Sequence, residues 1–216
     1  MLTTKPFFKN IPLLFDNESH HWISKNIERL ADHHNRHSPA NSIVCRLHQH
    51  NDSPVAVHIR NTLKLYGLTG TNFELFTYKT FLEPNLDGGY PHIDFANGNP
   101  VSARLNFLLE GKNDKMYWWP HTVDSDIILQ QDLKTDGKTS RLRGYLVEEL
   151  SKLPRKEMYT QLGEAHVCDN LYNSNSAAIV RTDILHAATW SGGTRLILSM
   201  QILESWEEIC DKLNDK

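Results

Sequence analysis

Hydrophobic residues are spaced in two different ways along the chain. Up to about residue 70 they recur as on one face of a helix, and Ser38-Pro39 interrupts the first such run. From residue 73 they occur in short segments rich in aromatic and β-branched residues, separated by Gly, Pro, Asn and Asp. The first spacing predicts helices, and the second is typical of an all-β sandwich or barrel. The helical positions of the first run are Trp22, Ile23, Ile27, Leu30 and Ala31.

A second element follows Ser53-Pro54, which resembles a helix cap followed by proline at the first helical position. Gly67 is suited to end that helix. The residues Val55, Val57 and Ile59 also alternate as in a strand, so both interpretations stay open at this point.

The β pattern breaks between about 120 and 165. Leucines at helical spacing predict a helix there that stops at Pro154, and we interpret this region as an insertion in the β domain. A final helix is predicted in the tail from the spacing of Trp206, Ile209, Cys210 and Leu213. The leucines of the insertion are Leu142, Leu146, Leu150 and Leu153.

The chain of 216 residues suits one domain. We predict a helical support region over 1–70, a mainly β core over 71–204 with the insertion at about 120–165, and a C-terminal helix over 205–216.

Composition narrows the class of protein. A hydrophobic content of 39% and a charged content of 23% are ordinary for a globular protein. The net charge of −3 gives no basic excess, which argues against a nucleic acid partner. The three cysteines lie far apart, and neither a signal peptide nor a long apolar run is evident. These features predict a cytoplasmic protein without a membrane partner.

The candidate chemistry begins at "GGYPHIDF", residues 88–95. If its part "YPHIDF", residues 90–95, is a strand, His92 and Asp94 project to one face, and two ligands on one strand are preorganised for a metal. A second His-x-Asp pair, His50 and Asp52, lies in the polar, turn-like "RLHQHNDSP". Because that segment has no apolar alternation, we interpret the second pair as a surface loop.

A third ligand is predicted at His186, in the β-like "ILHAATW". A histidine between Leu185 and Ala187 also fits a hydrogen-bonded core residue. Together with His92 and Asp94, however, it makes the two-histidine, one-carboxylate set that suits Fe(II) and leaves three coordination positions open.

Arg195 follows the predicted turn Ser191-Gly192-Gly193 and begins a largely apolar strand. Its buried charge needs an anion, either a protein carboxylate or the carboxylate of a cosubstrate. In "VSARLNFLL", Arg104 and Asn106 share one face of a strand whose other face is apolar. That polar face either meets solvent or lines a cavity.

The pattern "PHIDF…RLNFLL…DILHAATWSGGTRLIL" resembles the Fe(II)/2-oxoglutarate-dependent oxygenases over roughly residues 73–203. The resemblance implies a double-stranded β-helix, a jelly-roll fold. It implies iron ligands His92, Asp94 and His186, and it assigns Arg195 to the far carboxylate of 2-oxoglutarate.

The resemblance also implies a reaction. Oxidative decarboxylation of 2-oxoglutarate would drive hydroxylation of a substrate, with dioxygen as cosubstrate. Retention of Asp94 favours hydroxylation, because related halogenases carry a small residue there. Tyr78 and Asn106 match positions that help to bind the cosubstrate, and Arg104 and Trp118 are candidate substrate contacts.

The prolyl- and aspartyl-hydroxylase-like branches look nearest. The nucleic-acid demethylases carry a second arginine where this chain has Gln201. The expected substrate is therefore an amino acid, a peptidyl residue or another small metabolite. Two alternatives remain, a cupin-like metal-binding isomerase and a non-catalytic jelly-roll binding protein, and neither needs Arg195 as a cosubstrate clamp.

Overall fold

The structure is a computed structural model. It describes residues 6–37, 43–47, 51–79, 91–96, 99–120, 128–131, 143–146, 153–169, 171 and 176–214. Within these residues no helix is long and apolar enough to cross a membrane.

Four helices and twelve strands make up the described part of the chain. The helices are α1 (Asn17–His37), α2 (Pro54–Leu65), α3 (Arg155–Gln161) and α4 (Trp206–Asn214). The strands are β1 (Phe8–Pro12), β2 (Ile43–Leu47), β3 (Gly70–Lys79), β4 (His92–Ile93), β5 (Phe95–Ala96), β6 (Asn99–Pro100), β7 (Ala103–Trp118), β8 (Ile128–Gln131), β9 (Arg143–Leu146), β10 (His166–Asp169), β11 (Ser176–Arg181) and β12 (His186–Ile202). The predicted mainly β fold with flanking helices is confirmed.

Two long antiparallel strands, β7 and β12, form the centre of a ten-stranded sheet. The other edge of β7 pairs with β11 near its beginning and with β10 near its end, and β1 pairs with β11. The other edge of β12 pairs with β4 near its beginning and with β3 further along. Each long strand therefore has different neighbours in its two halves.

One face of this sheet is apolar and is covered by α1, α2 and α4. Leu105 of β7 and Leu198 and Met200 of β12 are fully buried there. Ile59 of α2 and Trp206 of α4 belong to the same cluster and are also fully buried. Burying such a side chain contributes roughly 1.5–3 kcal/mol, so the helices are attached mainly by this face.

The opposite face carries Arg104 and Asn106 of β7 beside Ser199 of β12. The Arg104 side chain is only 13% exposed. The polar face therefore does not meet solvent at Arg104, and its lining of a cavity stays a prediction. Alternation defined the two faces of the strand, but only the neighbouring strands decide whether water reaches them.

The N-terminal region is helical where predicted, at α1 and α2, but it also contributes β1 and β2 to the sheet. The choice left open after Ser53 is settled as a helix. The Ser53 hydroxyl accepts a hydrogen bond from the Ala56 N–H at 3.2 Å, and Pro54 begins the helix. Gly67 has φ 71°, the left-handed conformation that ends helices and favours glycine.

The helix predicted to end at Pro154 is wrong over residues 143–146, which form β9. β9 pairs with both β8 and β4, and this non-local pairing outweighs the local spacing of leucines. Residues 147–152 lie outside the described residues. Pro154 precedes α3 instead of ending a helix, in keeping with the preference of proline for helix starts. The domain limits and the limits of the insertion stay predictions.

The turn predicted at Ser191-Gly192-Gly193 is also wrong. These residues belong to the continuous strand β12, whose register against β7 shifts between Thr189 and Leu196. The glycines therefore mark an irregularity in a paired strand. Pairing with β7 on both sides of this irregularity keeps the strand continuous.

We expect Ser53→Ala to lower the free energy of unfolding by about 1 kcal/mol, because a helix cap is lost on an element that covers the main core. Urea unfolding followed by circular dichroism measures the effect. Ser24→Ala is the control: this exposed hydroxyl of α1 bonds to a carbonyl of its own helix, and its loss should cost less than about 0.5 kcal/mol. Equal losses in the two variants would contradict the role of the cap.

Candidate metal centre

His92 and His186 lie directly opposite each other on the antiparallel strands β4 and β12. Residues at opposite positions project to the same face of a sheet, and the centroids of these two imidazole rings are 4.5 Å apart. His186 is only 4% exposed, and the His92 side chain is 21% exposed. The pairing of two strands thus sets two nitrogen ligands side by side.

Asp94 directly follows β4 and belongs to no strand. The expected continuous strand over 90–95 is interrupted there, while residue 90 lies outside the described residues. Backbone hydrogen bonds fix Asp94 instead: its N–H donates to the Thr182 carbonyl at 3.1 Å, and its carbonyl accepts from the Val101 N–H at 2.8 Å. The Thr182 hydroxyl donates to the Val101 carbonyl at 2.6 Å, which closes the arrangement.

His92, Asp94 and His186 each offer a ligand atom, and these atoms lie within 4.8 Å of one another. In the part of the chain that the structure describes, this is the single group of its kind. Two imidazoles and one carboxylate are a donor set that fits Fe(II) or a similar divalent ion. The two histidines and the aspartate predicted from the sequence are therefore brought together in one cluster.

The hydrogen bond of His186 prepares its other nitrogen for a metal. Its Nδ1 lies 2.9 Å from the Ile184 carbonyl oxygen. Because a carbonyl only accepts, Nδ1 carries the proton and Nε2 keeps its lone pair. Burial, assisted by the neighbouring His92, lowers the pKa of His186 to about 4, although Asp94 acts in the opposite direction. The ring is therefore neutral at physiological pH.

Asp94 is ionised for a different reason. Burial by itself raises the pKa of this carboxyl, but the guanidinium of Arg104 and the two neighbouring histidines outweigh burial and lower the pKa to about 2. Arg104 Nε donates to Asp94 Oδ2 at 2.8 Å. The carboxylate is thus in its metal-binding form over the whole physiological range.

A buried polar network continues from Arg104 across the sheet. Its Nη1 donates to Glu74 Oε2 at 3.1 Å and to the Ser199 hydroxyl at 3.4 Å. The Ser199 hydroxyl in turn donates to Asn106 Oδ1 at 2.7 Å. Asn106 therefore takes part in the network behind the metal ligands, while its predicted contact with a cosubstrate stays a prediction.

Arg195 is 4% exposed. It lies four residues before Ser199 in β12, so both side chains project to the face on which Ser199 contacts Arg104. Tyr78 lies opposite it in β3, although the side chain of Tyr78 is outside the described part. Gly111 approaches the Arg195 stem and has φ 149°, a conformation that favours glycine.

The predicted substrate contacts have other partners in the structure. Trp118 is fully buried, and its ring stacks against the rings of Phe7 and Phe8. Its indole N–H donates to the Arg181 carbonyl at 3.0 Å. These are the contacts of a core residue. The contacts given for Arg104 are with protein groups, and a substrate contact stays a prediction for both residues.

Asp52 of the alternative pair does not belong to the ligand group found among the described residues. Asp52 is exposed in a turn before α2, and His50 lies outside the described residues.

Two residues of the network were missed from the sequence. Glu74 in "FELF" is 2% exposed, and a charged residue between apolar neighbours of a strand was an available signal. Ser199 gave no such signal, because a small hydroxyl in an apolar strand is common. Thr182 forms hydrogen bonds with both Asp94 and Val101, and it was likewise not identifiable from the spacing of residues in the sequence.

Comparison with known proteins gives a likeness of fold. No protein-family model matches the sequence, and no curated protein matches it. Among solved structures, the chain is similar to the epimerase SnoN in complex with Fe3+, alpha ketoglutarate and nogalamycin RO, with a TM-score of 0.51 and 14% identity over 93% of this chain and 80% of that one.

Two further structures are similar to about the same degree. HygX from Streptomyces hygroscopicus with nickel and 2-oxoglutarate bound has a TM-score of 0.51 and 12% identity, over 92% of this chain and 83% of that one. AviO1 from Streptomyces viridochromogenes Tue57 has a TM-score of 0.50 and 11% identity, over 93% and 90%. The predicted resemblance to iron- and 2-oxoglutarate-dependent enzymes is confirmed at the level of the fold.

We expect Asp94→Ala to weaken Fe(II) or Mn(II) binding by more than about 100-fold, since changes behind a metal ligand already cost 10–100-fold. Anaerobic calorimetric titration measures the affinity. Asp52→Ala is the matched control, because it removes the carboxylate of the alternative His-x-Asp pair, and it should leave the affinity unchanged. A larger loss of metal affinity in Asp52→Ala than in Asp94→Ala would show that the other His-x-Asp pair, His50 and Asp52, binds the metal.

The lowered pKa of His186 predicts a pH dependence of stability in the metal-free protein. Its pKa is about 4 when folded and near 6.5 in the unfolded chain, so the unfolded state binds more protons between these values. Stability therefore falls as the pH falls from about 6.5 to 4. Urea unfolding at pH 7 and pH 4.5 should show a larger loss in the parent than in His186→Gln. Equal losses would contradict the shift.

Proposed function

We propose that the protein is an Fe(II)- and 2-oxoglutarate-dependent dioxygenase that hydroxylates an amino acid, a peptidyl residue or another small metabolite. The observation that carries the proposal is the clustering of His92, Asp94 and His186, together with the burial of Arg195 on the face of β12 that also carries Ser199 of the network behind Asp94. The first three suit the metal, and the fourth suits the carboxylate of a cosubstrate.

The charges around the centre support a dianionic cosubstrate. Asp94 and Glu74 are matched by Arg104 and Arg195, so the four charged side chains sum to about zero. A divalent metal adds two positive charges to a buried region. A keto acid with two carboxylates returns the sum to zero, and charges with little access to water need such compensation.

When bound, iron and 2-oxoglutarate would supply the oxidising chemistry. The protein residues bind and orient the groups. His186 would offer Nε2 because its Nδ1–H is bonded to Ile184, and Asp94 would offer a carboxylate that Arg104 keeps ionised. The planar fork of Arg195 suits a two-point grip on the distal carboxylate, which fixes the cosubstrate relative to the metal.

We propose a double-stranded β-helix for the core. The supporting feature is the division of β7 and β12 into halves with different neighbours, because long strands that change neighbours at an irregularity are suited to serve two facing sheets. We also keep the division into a support region over 1–70, a core over 71–204 and a C-terminal helix as a proposal.

The proposed partners are small. The net charge of −3 favours a small-molecule or peptidyl substrate over a nucleic acid. A cytoplasmic location is proposed from the spacing of the cysteines, and Cys168 and Cys210 form no disulfide among the described residues. SnoN is described as an epimerase, so analysis of the products of turnover decides between hydroxylation and another oxidation.

Arg195→Met tests the proposed function. We expect the KM for 2-oxoglutarate to rise by between tenfold and a thousandfold, because truncating one side of a buried charge pair costs on the order of 2–5 kcal/mol. The measurements are succinate formation against 2-oxoglutarate concentration, and the visible charge-transfer band that the keto acid gives with Fe(II) without oxygen. The affinity for Fe(II) alone should change little.

Arg181→Met is the matched control. Arg181 pairs with a carboxylate, Asp183, at 2.6 Å and is partly buried, but it contacts none of the proposed ligands. Its loss should leave the KM unchanged. A folded Arg195→Met protein with the parental KM would overturn the oxygenase proposal and favour the cupin-like alternative. A large loss of thermal stability without a selective effect on 2-oxoglutarate would identify a structural ion pair.

A further inference from the structure

The two carboxylate oxygens of Asp94 have different surroundings. Oδ1 lies 3.6 Å from His92 Nε2, on the side of the candidate metal ligands. Oδ2 accepts a hydrogen bond from Arg104 Nε at 2.8 Å. A metal that binds His92 and Asp94 together would therefore meet Oδ1, while Oδ2 is already engaged by a cation.

The Arg104 guanidinium also forms hydrogen bonds on its side away from Asp94. Its Nη1 contacts Glu74 Oε2 at 3.1 Å and the Ser199 hydroxyl at 3.4 Å, on the two neighbouring strands β3 and β12. The donors of a guanidinium are fixed in one plane. Anchoring Nη1 to paired strands therefore also fixes the direction in which Nε points.

We propose that Arg104 is a positioning residue that withholds Oδ2 of Asp94 from the metal, so that the carboxylate coordinates through Oδ1 alone. The inference rests on the proposed metal site and goes beyond it. It assigns to Arg104 a role in setting the coordination number, in place of the substrate contact expected from the sequence.

The coordination number decides what else the metal can bind. Two histidines and a carboxylate bound through one oxygen leave three of six positions open. A keto acid that chelates takes two of them and leaves one for dioxygen. A carboxylate bound through both oxygens would occupy that last position. With Arg104 in place, the metal site could therefore bind both the keto acid and dioxygen. Without it, the site could bind the keto acid alone.

Nitric oxide provides a direct measurement, because it binds Fe(II) at the position that dioxygen would take and gives an electron paramagnetic resonance signal. Parent, Arg104→Met and Glu74→Gln proteins are each loaded with Fe(II) and 2-oxoglutarate without oxygen and are titrated with nitric oxide. In Arg104→Met, Oδ2 becomes available to the metal, and most of the signal should be lost at the nitric oxide concentration that saturates the parent. In Glu74→Gln, an amide oxygen can still accept from Arg104, which still holds Asp94, so the titration should match that of the parent.

A double variant, Arg104→Met with Glu74→Gln, covers the case in which Arg104→Met fails to fold. It removes the buried cation together with its second anion, so Glu74 leaves no unpaired charge. It should also lose most of the nitric oxide signal. Arg104→Lys should recover part of the signal, since an ammonium can donate to Oδ2, and a merely structural role would produce no such recovery.

The possible failures can be told apart. Weak or absent binding of Fe(II) or 2-oxoglutarate by the parent would overturn the proposed function and this inference with it. Tight binding of both by the parent, with an unchanged nitric oxide titration in folded Arg104→Met or in the double variant, would overturn the role of Arg104 and leave the metal site standing. Arg181→Met controls for removal of an arginine from a carboxylate elsewhere and should match the parent.

Discussion

The antiparallel pairing of β7 with β12 is the constraint on which the rest of the structure depends. It gives one face of apolar residues that pack against α1, α2 and α4, and an opposite face that carries the polar residues Arg104, Asn106 and Ser199. Because strand residues alternate between faces, the same backbone hydrogen bonds that bury Leu198 also direct Ser199 toward Asn106. One strand register therefore determines which residues face the core and which face the candidate site. A shift of this register by one residue would exchange the two sets.

Part of the site was predictable because it follows this alternation. The polar face of Arg104 and Asn106 and the position of Arg195 in an apolar strand are visible in the sequence. The spacing of His92 and Asp94 is visible too, although Asp94 lies beyond the end of β4 and is placed by hydrogen bonds. Period-two patterns identify which residues share a face. They carry no information about which distant strand lies opposite, and so the pairing of His92 with His186 required the structure.

The misjudged elements have a common physical cause. Residues 143–146 and 191–193 carry strong local signals, for a helix and for a turn, and both are strands in the structure. In each case a neighbouring strand supplies backbone partners that are distant in sequence. Ser199 and Thr182 escaped notice for the converse reason, since their importance comes wholly from residues far along the chain.

The hydrogen bonds of Thr182 have a consequence for folding order. Asp94 and His186 are far apart in sequence, and the Thr182 carbonyl and hydroxyl join the two segments through Asp94 and Val101. Contacts of such sequence separation carry a large loop-closure entropy and form late. Metal affinity would therefore be a property of the completed sheet, absent from any fragment that carries only the His-x-Asp segment. A bound ion would favour the native state over partly folded ones by mass action, and metal supply would influence how much folded protein accumulates.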